Sequence, residues 1–296
     1  MIQELSIRAF FDQATNTVTY LVWDAKTRIA AVIDSVLDYD PGSGKVSASG
    51  VDKVLAAAAS EKLQIQWVLE THAHADHLSA AQHIKAKTKA KVGIGEHICK
   101  VQQIFQSVFN FNDVSQLGTE FDHLFKDGEE FQIGELTAHV LHTPGHTPAC
   151  VSYRLGDAVF VGDTLFMPDY GTARADFPGG DARQLFRSIK RTLSLPSATR
   201  VFTCHDYKTP DREAYAWEST VGEQRAHNVQ IHDGVSEDAF VTMRQARDAS
   251  LAVPRLLFPS IQINIRAGRF PAPESNGTTY LKVPISFAEG VHLPER

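Results

Sequence analysis

Four apolar segments of this 296-residue chain run directly into histidine or aspartate, and this repetition constrains the fold more than any other feature. The segments are IQWVLE before THAHADH, LTAHVLHT before PGHTP, VFVG before DTLF, and RVFTC before HDY. Short apolar runs of this kind are typical of buried strands, and a polar group at the end of a buried strand needs a partner. The pattern therefore predicts an α/β fold in which several strand ends supply one site.

Predicted helices and strands mix along both halves of the chain. Helices are predicted at VDKVLAAAASEKL, HLSAAQHIKAKT, EHICKVQQIFQSVF, ARQLFRSIKRTLSL, REAYAWESTVGEQRAHNV and SEDAFVTMRQARDAS. Gly156-Asp157 marks a hairpin between CVSYRLG and DAVFVGD. Hairpins beside crossovers favour helices layered on mixed sheets over a purely parallel sheet. The Pro-rich tail 254–277 favours neither helix nor strand.

Composition narrows the possible functions. The formal net charge is −6 and no run of Lys and Arg occurs, which argues against nucleic-acid binding. No apolar run approaches the roughly 20 residues of a membrane span, and the first residues lack a signal-peptide pattern, so we expect a cytoplasmic protein. Cys99, Cys150 and Cys204 are odd in number and widely spaced, which fits core residues in a reducing compartment.

The stretch ETHAHADHLSAA places His72, His74, Asp76 and His77 within six positions. Neighbouring imidazoles repel once either is protonated, and buried ones need hydrogen-bond partners. In an extended segment the first three of these residues share one side, and His77 opens the next helix. Neutral imidazole and carboxylate both bind first-row transition metals, and a divalent cation favours these forms. The stretch therefore predicts a metal site.

Three other residues extend this site, and each has a simpler alternative. His146 lies in the Pro-Gly turn HTPGHTP and either binds metal or caps the turn. Asp163 follows an apolar strand and either binds metal or begins a helix as its N-cap. His205 in CHDY either lies beside the metal or is only hydrogen-bonded. His142, separated from His146 by the turn, is assigned to support or packing.

The motifs THAHADH, TPGHTPAC, GDTLF and CHDY, in this order, resemble the metallo-β-lactamase superfamily over roughly residues 1–230. The resemblance implies an αββα sandwich, with two mixed sheets flanked by helices and a metal at one edge of the sheets. We expect one domain over 1–296, in which a C-terminal extension of about 231–296 packs on the core. GDTLFMPDYGTARADFPGGDARQLFRSI and PSIQINIRAGRFP further resemble the persulfide dioxygenases.

The resemblance leaves two metal arrangements open, and motif spacing does not count the metals. Hydrolytic members of the superfamily hold two metals, which Asp163 would bridge here. Their two ligand sets would be His72, His74 and His146, and Asp76, His77 and His205. Persulfide dioxygenases hold one Fe(II), and the matching ligands here are His72, His146 and Asp163. The other four residues then form an outer shell that orients ligands and water: His74, Asp76, His77 and His205.

By resemblance the protein is a persulfide dioxygenase, which oxidises glutathione persulfide with O2 at one Fe(II) to give sulfite and glutathione. The nearest alternative is a glyoxalase II-like thioester hydrolase with two metals. An alternative of another class is a metal- or redox-sensing binding protein without turnover. Fold alone does not choose among them. We also expect a homodimer.

Glutathione carries two carboxylates, so cations and polar groups are expected at the mouth of the pocket. The candidates lie in or near the segments that resemble persulfide dioxygenases, and each also has an ordinary structural alternative. They are Tyr170, Arg174, Arg212, Asn264 and Arg266.

Overall fold

Two mixed β-sheets form the centre of the protein in a computed structural model that describes residues 4–288 and 291. The strands are β1 (Leu5–Asp12), β2 (Thr17–Asp24), β3 (Ile29–Ile33), β4 (Val36–Asp40), β5 (Lys45–Ser47), β6 (Gln64–Leu69), β7 (Leu78–Ser79), β8 (Lys91–Gly95), β9 (His123–Phe125), β10 (Glu130–Ile133), β11 (Leu136–His142), β12 (Val151–Leu155), β13 (Ala158–Phe160), β14 (Arg200–Phe202) and β15 (Glu218–Thr220). The helices are α1 (Ser49–Ser60), α2 (Ala81–Thr88), α3 (Ile98–Phe109), α4 (Ala182–Thr192), α5 (Val221–His227), α6 (Glu237–Asp248) and α7 (Leu257–Asn264).

Both large sheets combine antiparallel and parallel pairs. The first has the order β1-β2-β3-β6-β8-β9, antiparallel from β1 to β3 and parallel from β3 to β9. The second runs in order from β10 to β15, and only β13 and β14 pair in parallel. The predicted hairpin joins β12 to β13, where Gly156 adopts a positive φ of 56°. The predicted mixed sheets are confirmed.

Three apolar layers show that helices cover the outer face of each sheet. Tyr20, Tyr153 and Phe160 are buried in the layer between the two sheets. Helices α1, α2, α3 and α7 contribute to the layer on the first sheet, whereas α4, α5 and α6 contribute to the layer on the second. Side chains that alternate along a strand can fill two layers at once, one on each face of the sheet. The αββα architecture is therefore confirmed.

The segment 212–229 differs from its predicted single helix. Residues Glu218–Thr220 instead pair antiparallel with β14, and the helix spans only Val221–His227. Thr220 accepts a hydrogen bond from the Glu223 backbone N–H while the Glu223 carboxylate accepts one from the Thr220 N–H. This capping box fixes the start of α5, and strand pairing overrides helical propensity before it.

The C-terminal extension contains a helix that the sequence did not predict. Helix α7 begins at Leu257, so Pro259 falls in its first turn, where a backbone N–H is not needed. Ile261 and Ile263 pack in the layer that covers the first sheet. Helix α7 of the extension thus packs on the layer that covers the first sheet. None of the helices in the described ranges is long and apolar enough to cross a membrane.

Contacts between the two sheets bring their polar strand ends together. Val151 of β12 donates a backbone hydrogen bond to the carbonyl of Thr71, just after β6. An isolated bridge joins Thr17, at the start of β2, to His205, just after β14. Because β13 and β14 are parallel neighbours, the loops that carry Asp163 and His205 leave the same edge.

Candidate metal centre

Three of the predicted ligands form one group, here called group A: His72, His146 and Asp163. Their donor atoms all lie within 4.8 Å of one another. The Nε2 atoms of His72 and His146 are 4.0 and 3.6 Å from Oδ2 of Asp163. All three side chains are buried. This group contains the two histidines and one carboxylate that the resemblance to persulfide dioxygenases implies as the ligands of a single metal.

The four remaining candidates form a second group, here called group B: His74, Asp76, His77 and His205. Their donor atoms also lie within 4.8 Å of one another. Nε2 of His205 is 3.3 Å from Oδ2 of Asp76 and 3.3 Å from Oδ1 of Asp163. Asp163 therefore presents Oδ2 to group A and Oδ1 to His205 of group B.

Several buried donor atoms of both groups have no hydrogen-bond partner in the described part of the chain. They are Nε2 of His72, Nδ1 of His74, Oδ2 of Asp76, Nε2 of His77, Oδ1 of Asp163 and Nε2 of His205. Buried polar atoms without partners are costly and rare, and a cluster of them aimed at each other needs a common ligand. Imidazole nitrogen and carboxylate oxygen suit a first-row divalent metal. The residues present therefore fit a metal ion.

The opposite ring nitrogens have partners that orient the histidines. Nδ1 of His146 donates to the carbonyl oxygen of Arg174 at 2.8 Å, and Nδ1 of His205 lies 3.2 Å from the carbonyl oxygen of Asn16. Nε2 of His74 lies 3.0 Å from Oδ1 of Asp34. With the proton on these nitrogens, the lone pair of each ring points into the cluster, as metal binding requires.

Burial sets the protonation state of the groups in the absence of a cation. Burial lowers the pKa of His72 and of His74, and neighbouring imidazoles lower both further, so these rings are neutral at neutral pH. Burial raises the pKa of Asp163, against the opposing effect of His205 and His146. Burial also acts to raise the pKa of Asp76, but His205 and His77 outweigh it and leave that pKa well below the ordinary value.

Asn264, which the sequence predicted to contact substrate, is hydrogen-bonded to the histidine loop. Its Nδ2 donates to the carbonyl oxygens of His74 and His77, both at 2.8 Å, and its Oδ1 accepts from the N–H of Ser79 at 2.8 Å. The side chain is buried and is not part of the cavity wall described below. Its hydrogen-bonding groups are already engaged, so it holds the loop rather than a ligand.

Arg266 and Arg212 also lie outside the cavity wall, contrary to the substrate contacts predicted for them. Arg266 is buried, donates to Asp113 at 2.9 Å and lies 4.0 Å from the ring of Phe111. Arg212 donates to Asp206 at 2.6 and 2.7 Å and to Asp169 at 2.7 Å. Each guanidinium thus pairs with carboxylates of the chain itself, Arg266 with one and Arg212 with two.

A cavity of about 400 Å³ opens onto the metal centre. Asp76, His146 and Asp163 form part of its wall, as do Tyr170 and Arg174, which were predicted to contact substrate. The guanidinium of Arg174 is engaged with Asp176 at 2.6 and 2.7 Å. A cavity of this size suits a small organic ligand.

The residues of the cavity wall that sequence reasoning missed include Tyr207, Arg247 and Arg255. The position of Tyr207 in the CHDY motif was a usable signal, since its ring stacks on His205 with centroids 5.7 Å apart. Arg247 and Arg255 belong to the C-terminal extension and carry no motif. Only the packing of the extension places them beside the metal centre.

Comparisons with known proteins agree with this architecture. The family model of the metallo-beta-lactamase superfamily matches residues 14–205. A probable metallo-hydrolase of Burkholderia pseudomallei is 49% identical, over 95% of this chain and 99% of that protein. Glyoxylase B2 of Dictyostelium discoideum is 45% identical, over 97% and 99% of the two chains.

Two similar proteins carry the name ETHE1. Human persulfide dioxygenase ETHE1 is 28% identical to this chain, over 88% of each protein. The crystal structure of ETHE1 from Myxococcus xanthus is 30% identical and covers 89% of this chain and 100% of its own, with a TM-score of 0.71. The family model matches more than half of the chain, and the two metal-ligand groups lie within that match or at its end. The chain belongs to the metallo-β-lactamase superfamily.

Proposed function

We propose that this protein is a persulfide dioxygenase that binds one Fe(II) through His72, His146 and Asp163 and oxidises glutathione persulfide with O2. The observation that carries the proposal is the placement of group A. Two of its members, His146 and Asp163, line the cavity wall, whereas His72 is buried and does not line it. These two imidazoles and one carboxylate would hold Fe(II), and the ion would supply the redox chemistry for the reaction of sulfur with oxygen. Similarity to the two ETHE1 proteins supports this assignment.

The chain's own residues orient the ligands and shape the pocket. The carbonyl of Arg174 fixes the ring of His146, and the Arg174 guanidinium lies 5.1 Å from the ring of Phe177. Phe166, Phe177 and Leu251 contribute apolar surface to the cavity wall, which limits water around a reactive sulfur. In this arrangement no protein nucleophile is required. The residues bind the substrate, orient the metal ligands and exclude water.

Group B favours a second candidate, a glyoxalase II-like thioester hydrolase that uses two metals. Its donors converge as closely as those of group A, and four of them lack hydrogen-bond partners among the described residues. Asp163 directs one oxygen toward each group, as a bridging carboxylate would. Similarity to Glyoxylase B2 also supports this candidate. A binding protein without turnover has no comparable observation in its favour.

Metal content and oxygen uptake separate the candidates. Protein purified without oxygen should hold one iron per chain and consume O2 with glutathione persulfide. Two metals per chain, together with hydrolysis of S-lactoylglutathione in the absence of O2, would favour the hydrolase instead. Metal binding without turnover of either substrate would leave only a binding protein.

Two histidine variants locate the metal. His146→Ala should lose iron and oxygen uptake together, whereas His77→Ala should retain iron with a smaller loss of activity. His83→Ala is a matched control, because His83 pairs with Asp52 away from the cavity. Equal loss of iron in the His77 and His146 variants would contradict a single site at group A.

A further inference from the structure

The C-terminal extension brings two positively charged side chains to the cavity wall. Arg247 of α6 and Arg255, which follows α6, both line the cavity wall. Within residues 4–288 and 291, no carboxylate lies within the 4.0 Å ion-pair distance of either guanidinium group. Arg255 acts on the carboxylate of Asp40 only from a longer distance. Hydrogen bonds from Ser43 and Gly42 are the main causes that lower the pKa of Asp40, and the charge of Arg255 adds to them.

The other two arginines of the cavity differ in this respect. Arg174 pairs with Asp176 at 2.6 Å, and Arg244 pairs with Asp248 at 2.7 Å. Arg244 is almost fully buried, as expected of an arginine that holds structure together. Each structural arginine thus has its own carboxylate, whereas Arg247 and Arg255 keep their donors available. The acids of the wall, Asp76 and Asp163, belong to the metal groups, so the remaining charge of the wall is positive.

We infer that Arg247 and Arg255 bind the carboxylates of an anionic thiol substrate, so that the C-terminal extension selects the substrate. The inference rests on the proposed function for the sulfur chemistry at the metal end. On the same cavity wall, planar guanidinium groups suit carboxylates better than any other side chain. A substrate with carboxylates remote from its sulfur, such as glutathione persulfide, can place its sulfur at the metal ligands and a carboxylate at these arginines. Cysteine persulfide, whose carboxylate lies close to its sulfur, is not expected to make both contacts.

Contacts near the cavity hold these two arginines in position. The guanidinium of Arg247 lies 5.7 Å from the ring centre of Tyr170, an attractive cation–π distance. The Arg174 guanidinium donates to the carbonyl of Ala252 at 2.7 Å and so tethers the segment that carries Arg255. The carbonyl of the same Arg174 accepts the hydrogen bond of His146. One residue therefore links the segment that carries Arg255 to a proposed metal ligand. The family model ends at residue 205, so neither arginine belongs to the matched part.

Calorimetric titration of the iron-loaded protein with reduced glutathione tests the inference without turnover. Arg247→Gln and Arg255→Gln should each weaken binding by about five- to tenfold, and more salt should shrink the difference from the parent protein. Arg269→Gln is the matched control, since Arg269 is an exposed arginine of the extension outside the cavity wall. Unchanged affinity in both cavity variants, or an equal loss in the control, would overturn the inference.

Steady-state oxygen uptake separates this inference from the proposed function. Both cavity variants should raise the KM for glutathione persulfide while kcat and the KM for cysteine persulfide change little. If the parent protein consumes no O2 but the variants lose glutathione affinity, the proposed function fails and the carboxylate site stands. If O2 uptake is present and both variants keep the parent KM, only the carboxylate site fails.

Discussion

Replacing Arg212 with methionine should destabilise the fold without weakening substrate binding. Arg212 joins two loops beside the metal centre, because it donates to Asp206, which follows His205, and to Asp169, which follows the strand end at Asp163. The carboxylate of Asp206 is fully buried, whereas the side chain of Asp169 is 37% exposed. The hydrogen bond to Asp206 is the main cause that raises the pKa of the Arg212 guanidinium, which therefore stays charged.

The expected loss follows from what the variant leaves behind. Without Arg212 the buried Asp206 carboxylate keeps, among the described residues, only the N–H groups of Ala216 at 2.8 Å and Lys208 at 3.2 Å. Removing one partner of a buried ion pair costs about 3–5 kcal/mol, and the exposed pair with Asp169 adds less than about 1 kcal/mol. Because Arg212 itself is 20% exposed, we expect roughly 3 kcal/mol.

Urea unfolding of metal-loaded protein measures this loss, with Arg183→Met as the control. Arg183 pairs with Glu237 and Asp238 on the surface, where solvent screens the pairs, so its variant should leave the unfolding free energy nearly unchanged. In a double-mutant cycle with Asp206→Asn, most of the loss should appear as interaction energy. Unchanged stability together with a raised KM would refute this reasoning and restore the substrate contact predicted from the sequence.

Three other predictions concern the metal centre. Chelation should lower the unfolding free energy by about 2.7 kcal/mol relative to protein at a metal concentration 100 times Kd. Scanning calorimetry with and without chelator measures this loss. An unchanged unfolding transition would mean that the ion does not bind the native state preferentially. Burial raises the pKa of Asp34 in metal-free protein to about 6. The protonated carboxyl of Asp34 therefore stabilises the folded protein below about pH 4. This contribution of up to roughly 3 kcal/mol to the unfolding free energy should be lost as the pH rises through 6. Urea unfolding of metal-free protein across this range should show that slope in the parent and not in Asp34→Asn. Asn264→Ala should weaken metal binding and cost about 2–3 kcal/mol, because the carbonyls of His74 and His77 and the N–H of Ser79 lose their partners. Metal titration and the persulfide KM check this variant, and normal metal binding with a raised KM would contradict the supporting role.

Local chemistry in the sequence anticipates part of the fold and of the site. A polar residue at the end of a buried strand needs a partner, so the ends after β6, β11, β13 and β14 pointed to a shared site before any geometry was known. The error at 212–229 has a nonlocal cause. The Thr220–Glu223 capping box marks the start of α5, but pairing with β14 before it depends on a strand that lies elsewhere.

The arginines show the limit of such reasoning. Five arginines share the same charge and donors, and nothing in the sequence distinguishes a paired guanidinium from a free one. They are Arg174, Arg212, Arg247, Arg255 and Arg266. Their roles depend on whether a carboxylate comes within about 3 Å, and that partner often lies far along the chain. Arg266 meets Asp113 across 153 residues.

The sequence by itself determined which side chains gather at the metal centre, because motif chemistry and strand ends are local properties of the chain. Tertiary structure alone decided that Asn264 fixes the histidine loop 190 residues away and that the extension turns Arg247 and Arg255 toward the cavity. The physical reason is that hydrogen bonds and ion pairs act over a few ångströms of space. Those separations in space are set by the packing of the helices and loops on the two sheets, and not by the distance along the chain.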